Sequence, residues 1–189
     1  TQGQELDLRR FQAATSDHIL ALDTRSDLDA YTYSVAGCVG EFWTHMCRRH
    51  VFPDAALNDS ILLANGIRFG KGLQLVNILR DLPRDLRQGR CYIPKDQLSQ
   101  HGLRPQDLID AERMDQFRTL YEDYLRQTEE NLAAGWQYTT MLPIRNARIR
   151  LACSWPILIG IRTVEKLRRG NVLDDRFHIR ISQSDTWWL

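Results

Sequence analysis

Residues 74–94 read QLVNILRDLPRDLRQGRCYIP, and this stretch is the most informative part of the chain for both fold and chemistry. It opens as an apolar helical segment that carries two amides and two carboxylates at spacings of three, four and four residues: Gln74, Asn77, Asp81 and Asp85. At about 100° per residue these side chains fall on one face of a helix. Because carboxylate and amide oxygens are hard ligands, this face suits Mg²⁺ and does not suit a soft metal.

Basic side chains are interleaved with the acidic ones and follow them, at Arg80, Arg84, Arg87 and Arg90. A guanidinium pairs with an oxyanion through two parallel hydrogen bonds. Carboxylates for a metal beside arginines for an anion therefore predict a site for a Mg²⁺–diphosphate. We interpret Arg80 and Arg84 as partners in local ion pairs rather than as substrate ligands. The alternative for the whole stretch is a solvated helix face, which acidic residues four apart usually form.

Composition bounds the class of protein. The 189 residues carry a formal net charge of +1, with 43% hydrophobic and 26% charged residues. These values are typical of a soluble globular protein, and we expect one helical domain over residues 1–189. The charge provides no global field for nucleic acid, so no nucleic-acid partner is expected. Four cysteines without a Cys-x-x-Cys pair argue against a zinc site and favour reduced thiols in a cytoplasmic protein. No apolar run reaches transmembrane length.

Hydrophobic periodicity predicts an all-α chain with four long helices and no convincing strand pair. The expected starts of these helices are Ser26, Asn58 or Asp59, about Met114, and Pro143. Pro83 should end or kink the second helix near Leu82, and Gly135 should end the third. Pro156 should kink the fourth helix, and Gly170 should follow its end.

A second block supports a family assignment. Residues 31–40 read YTYSVAGCVG and resemble the Y-x-x-x-V-A-G-x-V-G helix of the squalene/phytoene synthase family. Residues 77–94 resemble the second aspartate-rich motif of that family, and the order and separation of the two blocks also match. The apolar segment 151–162 and the ISQSD tail at 181–185 are similar to the closing region of the family. The resemblance covers nearly the whole chain.

This resemblance implies an all-α isoprenoid-synthase-type helical bundle. It also implies head-to-head condensation of two prenyl diphosphates, farnesyl or geranylgeranyl, to a squalene-, presqualene- or phytoene-type product. In that family two aspartate-rich helices face each other across an apolar cavity and hold Mg²⁺ between carboxylates and diphosphate. By the same resemblance, Asp81 and Asp85 are catalytic residues and ligand Mg²⁺ together with Asn77. Gln74 and Asn77 support the metal–diphosphate, and Arg90 binds the diphosphate.

Tyr31 is assigned by the resemblance to catalysis near the reacting carbons, and Val35 and Val39 to the prenyl channel. An aromatic face can stabilise a carbocation by cation–π attraction, worth about 2 kcal/mol when desolvated. The three side chains are spaced four apart on one helix face, which fits an ordinary helix core equally well. Spacing alone leaves both interpretations open. A water-insoluble product would favour peripheral contact with a membrane.

One part of the family pattern has no counterpart here. The first aspartate-rich motif of the family lies well upstream of the Y-x-x-x-V-A-G block, and this sequence begins too late to contain it. We therefore expect the C-terminal part of the fold, without its N-terminal helices. The acidic pair Asp23 and Asp27 is interpreted as a turn and a helix cap. The alternatives are a shortened homologue that needs a partner, and a truncated, non-catalytic module that binds prenyl diphosphate or a partner. Exposed cavity lining would favour association with another chain, such as a homo-oligomer. Substrate length stays open, as does NADPH use, for which no G-x-G-x-x-G fingerprint is present.

Overall fold

The structure is a computed structural model that describes residues 2–15, 18–174 and 176. Seven α-helices dominate the described part: α1 Gln2–Arg10, α2 Arg25–Thr32, α3 Cys38–His50, α4 Asp59–Arg87, α5 Lys95–Gln100, α6 Met114–Met141 and α7 Ala147–Arg169. A π-helical turn at Tyr33–Gly37 joins α2 to α3, and 3₁₀ turns lie at Pro105–Ile109, Ala111–Arg113 and Ile144–Asn146. The predicted all-α class is confirmed. The ISQSD tail lies outside the described residues.

The two longest helices, α4 and α6, pack against each other at the centre of the fold, with α3 and α7 beside them. Leu75, Leu79 and Leu82 of α4 are buried in one cluster with Phe117 and Leu125 of α6. Buried positions recur every three to four residues, so each helix places one apolar face in the core. No helix of the described residues combines the length and apolarity needed to cross a bilayer.

α4 continues through Pro83 to Arg87, so of the two predicted outcomes, an end or a kink near Leu82, the end is wrong and the kink stays a prediction. A proline has no N–H to donate to the carbonyl one turn earlier, which here belongs to Leu79. The Tyr121 hydroxyl of α6 donates to that carbonyl instead, with 3.2 Å between the two oxygens. A side chain from the neighbouring helix thus replaces the missing backbone bond, and the acidic residues on both sides of Pro83 stay on one continuous helix.

The predicted end of the third long helix at Gly135 is also wrong, because α6 runs on to Met141. Gly135 is buried, and a Cβ atom there would lie 2.6 Å from Cδ2 of the Phe69 ring. The glycine therefore permits close packing against α4 and does not cap the helix. The helix ends at Met141. Leu142 is extended, because a following proline, here Pro143, disfavours the helical conformation in the residue before it. α7 ends before Gly170, as predicted.

The start of α2 differs from the prediction, because Thr24 and not Ser26 is the N-cap. The Thr24 hydroxyl accepts from the Asp27 N–H at 3.2 Å, and the Asp27 carboxylate accepts from the Thr24 N–H at 2.9 Å. This reciprocal capping box satisfies two donors at the helix start. Asp23 precedes the cap and pairs with Arg10 of α1. The interpretation of Asp23 and Asp27 as turn and cap is confirmed.

Two short strands, β1 at Leu20–Ala21 and β2 at Arg90–Cys91, pair in parallel, which the sequence did not predict. Two residues are too few to produce a detectable alternating pattern. Gly89 precedes β2 with φ +76°, and a Cβ atom there would lie 2.3 Å from the carbonyl oxygen of Thr15. The strand pair holds the segment after α4 against the segment after α1, and so fixes where Arg90 lies.

Candidate functional site

α4 carries all four residues of the predicted metal–diphosphate face. Gln74, Asp81 and Asp85 are half-buried, and Asn77 is exposed. The Asp81 side chain is 23% exposed and the Asp85 side chain 14%. Both carboxylates therefore lie at the edge of the core, which differs from the fully solvated helix face considered as the alternative.

The Asp81 carboxylate is neutralised by its neighbours on α4. Arg80 donates to it through two parallel bonds, Nε to Oδ1 and Nη2 to Oδ2, both 2.9 Å long. Arg84 donates to Oδ2 at 3.3 Å. The hydrogen bonds from Arg80 lower the pKa of Asp81 against an opposing effect of burial. Asp81 is therefore a carboxylate over the physiological range, and the predicted local ion pairs of Arg80 and Arg84 are confirmed.

Asp85, one turn later, has a different environment. Burial raises the pKa of Asp85 to about 6, and the charges of Asp81 and Asp7 act in the same direction. Arg84 and Arg90 oppose this shift, but the Arg84 guanidinium is 3.7 Å away. The ionised form of Asp85 is therefore incompletely compensated by the protein. A bound cation would supply the missing positive charge.

The donor set of this face fits Mg²⁺. The ion prefers oxygen ligands and is commonly held by one or two carboxylates, with substrate phosphates and water completing its shell. Asp81 and Asp85 supply two carboxylates, and Asn77 supplies an exposed amide on the same helix. Within the described residues, no group of three or more His, Cys, Asp or Glu side chains could hold a metal by itself. The face thus provides one side of a site that phosphate oxygens would complete.

An aromatic pair lies beside these carboxylates. The rings of Tyr31 and Tyr92 are stacked, with centroids 4.8 Å apart and planes at 28°. Phe11 packs edge-on against Tyr92 at 5.2 Å. Tyr31 is 5% exposed and Tyr92 is 7% exposed. Burial is the largest cause that raises the pKa of both phenols, so both remain neutral donors at physiological pH.

A carboxylate from α1 joins this pair to Arg90. Asp7 Oδ1 accepts a hydrogen bond from the Tyr92 hydroxyl at 2.6 Å and lies 3.5 Å from the Tyr31 hydroxyl. Asp7 Oδ2 accepts from Arg90 Nη1 at 3.1 Å. The charge of Asp85 acts on Tyr31, and the charges of Asp7 and Arg90 act on Asp85. The fold therefore places the predicted residues Tyr31, Asp85 and Arg90 close enough for their charges and dipoles to interact.

Two residues of this group were missed by sequence reasoning. Tyr92 lies inside the quoted motif but was given no role, although an aromatic residue next to a predicted anion ligand was a usable signal. Asp7 carries no local signal, because its partners lie 24, 83 and 85 residues along the chain. Contacts of that sequence separation are set by the tertiary fold.

The two valines assigned to the prenyl channel differ in environment. Val35 is half-buried and packs against the main core cluster, whereas Val39 is 58% exposed. Val35 lies within the π-helical turn at Tyr33–Gly37 and Val39 lies beyond it, so the turn alters the register that a regular helix would give relative to Tyr31. Val39 begins an exposed apolar stripe on α3, which continues with Phe42, Trp43 and Met46. The channel role of both valines stays a prediction.

A cavity of about 590 Å³ opens elsewhere, between α1 and α2. Its described lining includes Glu5, Arg9, Arg10 and Asp27 and none of the predicted site residues. Both arginines are paired with carboxylates, Arg9 with Glu5 and Arg10 with Asp23. This balance of charge gives the cavity no preference for an anion, and we do not assign the site to it.

The helical arrangement is similar to solved isoprenoid-synthase-type structures. A squalene synthase, HpnC, from Alicyclobacillus acidocaldarius matches with a TM-score of 0.67 and 23% identity, over 79% of this chain and 52% of that one. A dehydrosqualene synthase in complex with a ligand matches with a TM-score of 0.71 and 23% identity, over 89% of this chain and 56% of that one. These likenesses define the class as an all-α isoprenoid-synthase-type fold, as predicted.

The family follows from the sequence comparison. The family model for squalene/phytoene synthase matches residues 1–183, so the chain belongs to the squalene/phytoene synthase family. A bifunctional lycopene cyclase/phytoene synthase of Aspergillus oryzae is 36% identical over 117 residues, which are 59% of this chain and 20% of that protein. The chloroplastic phytoene synthase 2 of Solanum lycopersicum is 27% identical over 141 residues, 75% of this chain and 43% of that protein. The chain spans less than half the length of these relatives.

Proposed function

We propose that this chain carries part of the site of a Mg²⁺-dependent prenyltransferase that condenses two prenyl diphosphates head to head. The substrates are farnesyl or geranylgeranyl diphosphate, and the product is of the squalene, presqualene or phytoene type. One observation supports this most directly: Asp85 is a half-buried carboxylate without full compensation, one turn from Asp81 and next to the group formed by Tyr31 and Arg90.

The residues divide the chemistry between them. Asp81 and Asp85, with Asn77, would hold Mg²⁺, which when bound supplies a Lewis acid for the departing diphosphate. Arg90 would bind the diphosphate oxygens, since one bond to Asp7 occupies one of its five N–H donors. Gln74, half-buried on the same face of α4, would support the metal–diphosphate from the preceding turn.

The carbon chemistry needs a dry and electron-rich surface. Loss of diphosphate breaks the allylic C–O bond, and the electron pair leaves with oxygen. The double bond of the second prenyl group then supplies the pair for the new C–C bond, which leaves a cation on that group. Loss of a proton discharges this cation, and the released C–H pair closes the cyclopropane ring of the precursor. The Tyr31 ring would face the cationic carbon, where cation–π attraction is worth about 2 kcal/mol. Its phenol is buried and neutral, so it offers no phenolate nucleophile. Val35 and Val39 would contact the prenyl chains.

Product analysis tests the proposal. The full-length protein should be incubated with labelled farnesyl or geranylgeranyl diphosphate, with Mg²⁺ or with EDTA, and with or without NADPH. We expect a C30 or C40 hydrocarbon or its cyclopropyl precursor, formed with Mg²⁺ and lost with EDTA. The NADPH arm shows whether the product is reduced. Absence of turnover with both substrates in the presence of Mg²⁺ would reject the proposal.

A second candidate is a non-catalytic helical module that binds prenyl diphosphate or a partner, including a second copy of the chain. The exposed stripe of Val39, Phe42, Trp43 and Met46 on α3 favours it, because large exposed apolar patches mark interaction surfaces. Binding of pyrophosphate without turnover, together with concentration-dependent mass in light scattering, would support this candidate. Cytoplasmic location and peripheral membrane contact stay predictions.

A further inference from the structure

The Asp7 carboxylate connects α1 to two other segments of the chain through hydrogen bonds and an ion pair. Its carboxylate contacts Tyr31 at the end of α2, and Arg90 and Tyr92 in and after β2. The Asp7 side chain is 19% exposed, so these contacts form away from bulk water. Buried carboxylates are costly unless they are paired and hydrogen-bonded, and Asp7 has both kinds of partner.

Each oxygen of Asp7 serves a different part of the site. Oδ1 holds the hydroxyl end of the tyrosine pair, accepting from Tyr92 at 2.6 Å with Tyr31 at 3.5 Å. Oδ2 holds the Arg90 guanidinium at 3.1 Å. The two tyrosine rings are held by stacking on each other, and the Tyr92 ring also packs against Phe11. The position of the aromatic face is thereby coupled to the position of the guanidinium.

We propose that Asp7 is a positioning residue, which sets the Tyr31 ring and the Arg90 guanidinium in a fixed relation to each other. This inference rests on the proposed function, in which Tyr31 faces the reacting carbon and Arg90 binds diphosphate. Asp7 itself does not touch substrate in this scheme. Displacement of a catalytic group by about 1 Å can lower the rate about 100-fold, so loss of the contacts of the Asp7 carboxylate should reduce turnover.

The competing explanation is that Asp7 merely anchors α1. The chain offers a matched control, because Arg10 also anchors α1 through an ion pair with Asp23 and a bond to the Ala21 carbonyl at 3.1 Å. Asp23→Asn removes an acidic anchor of the same helix without touching Tyr31, Tyr92 or Arg90. A purely structural role predicts that Asp7→Asn and Asp23→Asn behave alike.

The first readout is steady-state kinetics on the protein with its prenyl diphosphate substrate, alongside thermal unfolding. We expect Asp7→Asn to lower kcat about tenfold or more with KM changed less than about threefold, and Asp7→Glu to recover part of the loss. Asp23→Asn should keep kcat near the wild-type value at a similar melting temperature. Equal loss of kcat in Asp7→Asn and Asp23→Asn, or an unchanged kcat in Asp7→Asn, would overturn the inference.

The second readout does not depend on activity. In protein labelled with 3-fluorotyrosine, the Tyr31 and Tyr92 signals are assigned in ¹⁹F spectra by Tyr31→Phe and Tyr92→Phe. We expect Asp7→Asn to shift both signals and Asp23→Asn to leave them in place. If the wild type turns over neither substrate, the proposed function fails, and these spectra alone decide whether Asp7 positions the pair. Unmoved signals in Asp7→Asn reject the inference whatever the activity.

Discussion

Asp81 and Asp85 are the same residue type one turn apart on α4, yet their environments differ in kind. Asp81 receives two parallel bonds from Arg80 and a third from Arg84, and its pKa is lowered. Asp85 is more deeply buried and its pKa is raised to about 6. The protein stabilises the charge of Asp81 by itself, whereas the charge of Asp85 has a net cost that a ligand could offset.

This difference concerns the free energy of folding, since both aspartates are proposed to hold the metal. A carboxylate that the protein already neutralises contributes to stability before any cation binds. A carboxylate that is desolvated and only partly compensated lowers stability, and such costs are typical of groups retained for function. The two aspartates should therefore resemble each other in activity measurements and differ in stability measurements.

The largest expected effect is on turnover. Asp81→Asn and Asp85→Asn should each lower kcat by about 100-fold or more, because each removes a carboxylate that we propose binds the metal–diphosphate. Their melting temperatures should move in opposite directions: Asp81→Asn breaks the bidentate bond to Arg80 and destabilises, whereas Asp85→Asn removes a buried charge and stabilises. Steady-state kinetics and thermal unfolding on the same preparations measure both.

A control variant for this pair is Asp123→Asn. Asp123 pairs with Arg126 on the surface of α6, and the two side chains are 51% and 68% exposed. Exposed pairs contribute about 0–1 kcal/mol, so stability and turnover should both stay close to wild type. Melting temperatures of Asp81→Asn and Asp85→Asn that fall together would show that the two environments do not differ as described.

The pH dependence of stability should show the same contrast. The folded pKa of Asp85, about 6, lies above the unfolded value of about 3.9. The cost of Asp85 is therefore absent below about pH 4, grows as the pH rises, and is complete above about pH 6. The difference in melting temperature between Asp85→Asn and wild type should increase across this window.

Asp81 should give the opposite trend in the same experiment. Its folded pKa is lowered, so its contribution is present above the unfolded pKa and is lost as the pH falls through the folded pKa. The deficit of Asp81→Asn should therefore shrink in acid. A pH-independent difference for Asp85→Asn would contradict the raised pKa.

A third effect, smaller in size, is proton release on binding. A cation or metal–diphosphate beside Asp85 lowers its pKa, so binding at pH 6 should release about half a proton from this group. Calorimetry with Mg²⁺ and pyrophosphate in two buffers of different ionisation enthalpy measures the number. Asp85→Asn should abolish that release. A wild-type value that equals the Asp85→Asn value would place the ligand away from Asp85.

Features that depend on residues close together in the sequence were predictable, whereas those that depend on contacts between distant segments were not. The acidic face of α4 was predictable because a helix period relates Asp81 to Asp85 within five residues. The family block at residues 31–40 was predictable for the same local reason. Asp7 was not, since Tyr31 and Arg90 lie in other segments and meet it only in the fold. Gly135 was read as a helix stop because its contact, the Phe69 ring, lies on another helix.

The continuation of α4 through Pro83 was not predictable for the same reason, and it leads to the smallest expected effect. The sequence shows a missing N–H, but the compensating hydroxyl of Tyr121 is 42 residues away. If this hydroxyl stabilises α4 at Leu79, Tyr121→Phe should cost about 1 kcal/mol by leaving the carbonyl unsatisfied. In a Pro83→Ala background the backbone N–H at position 83 can bond to Leu79, and the same substitution should cost less.

Tyr124→Phe is the matched control for this cycle. Tyr124 is also a buried tyrosine of α6, and among the described residues its hydroxyl has no hydrogen-bond partner. Its removal should therefore be neutral or stabilising in both backgrounds. Urea unfolding of the four combinations of Tyr121→Phe and Pro83→Ala gives the coupling free energy. A cost of Tyr121→Phe that is equal with and without Pro83 would mean that Tyr121 acts by packing alone, and that α4 holds Asp81 and Asp85 in line without a bond from α6.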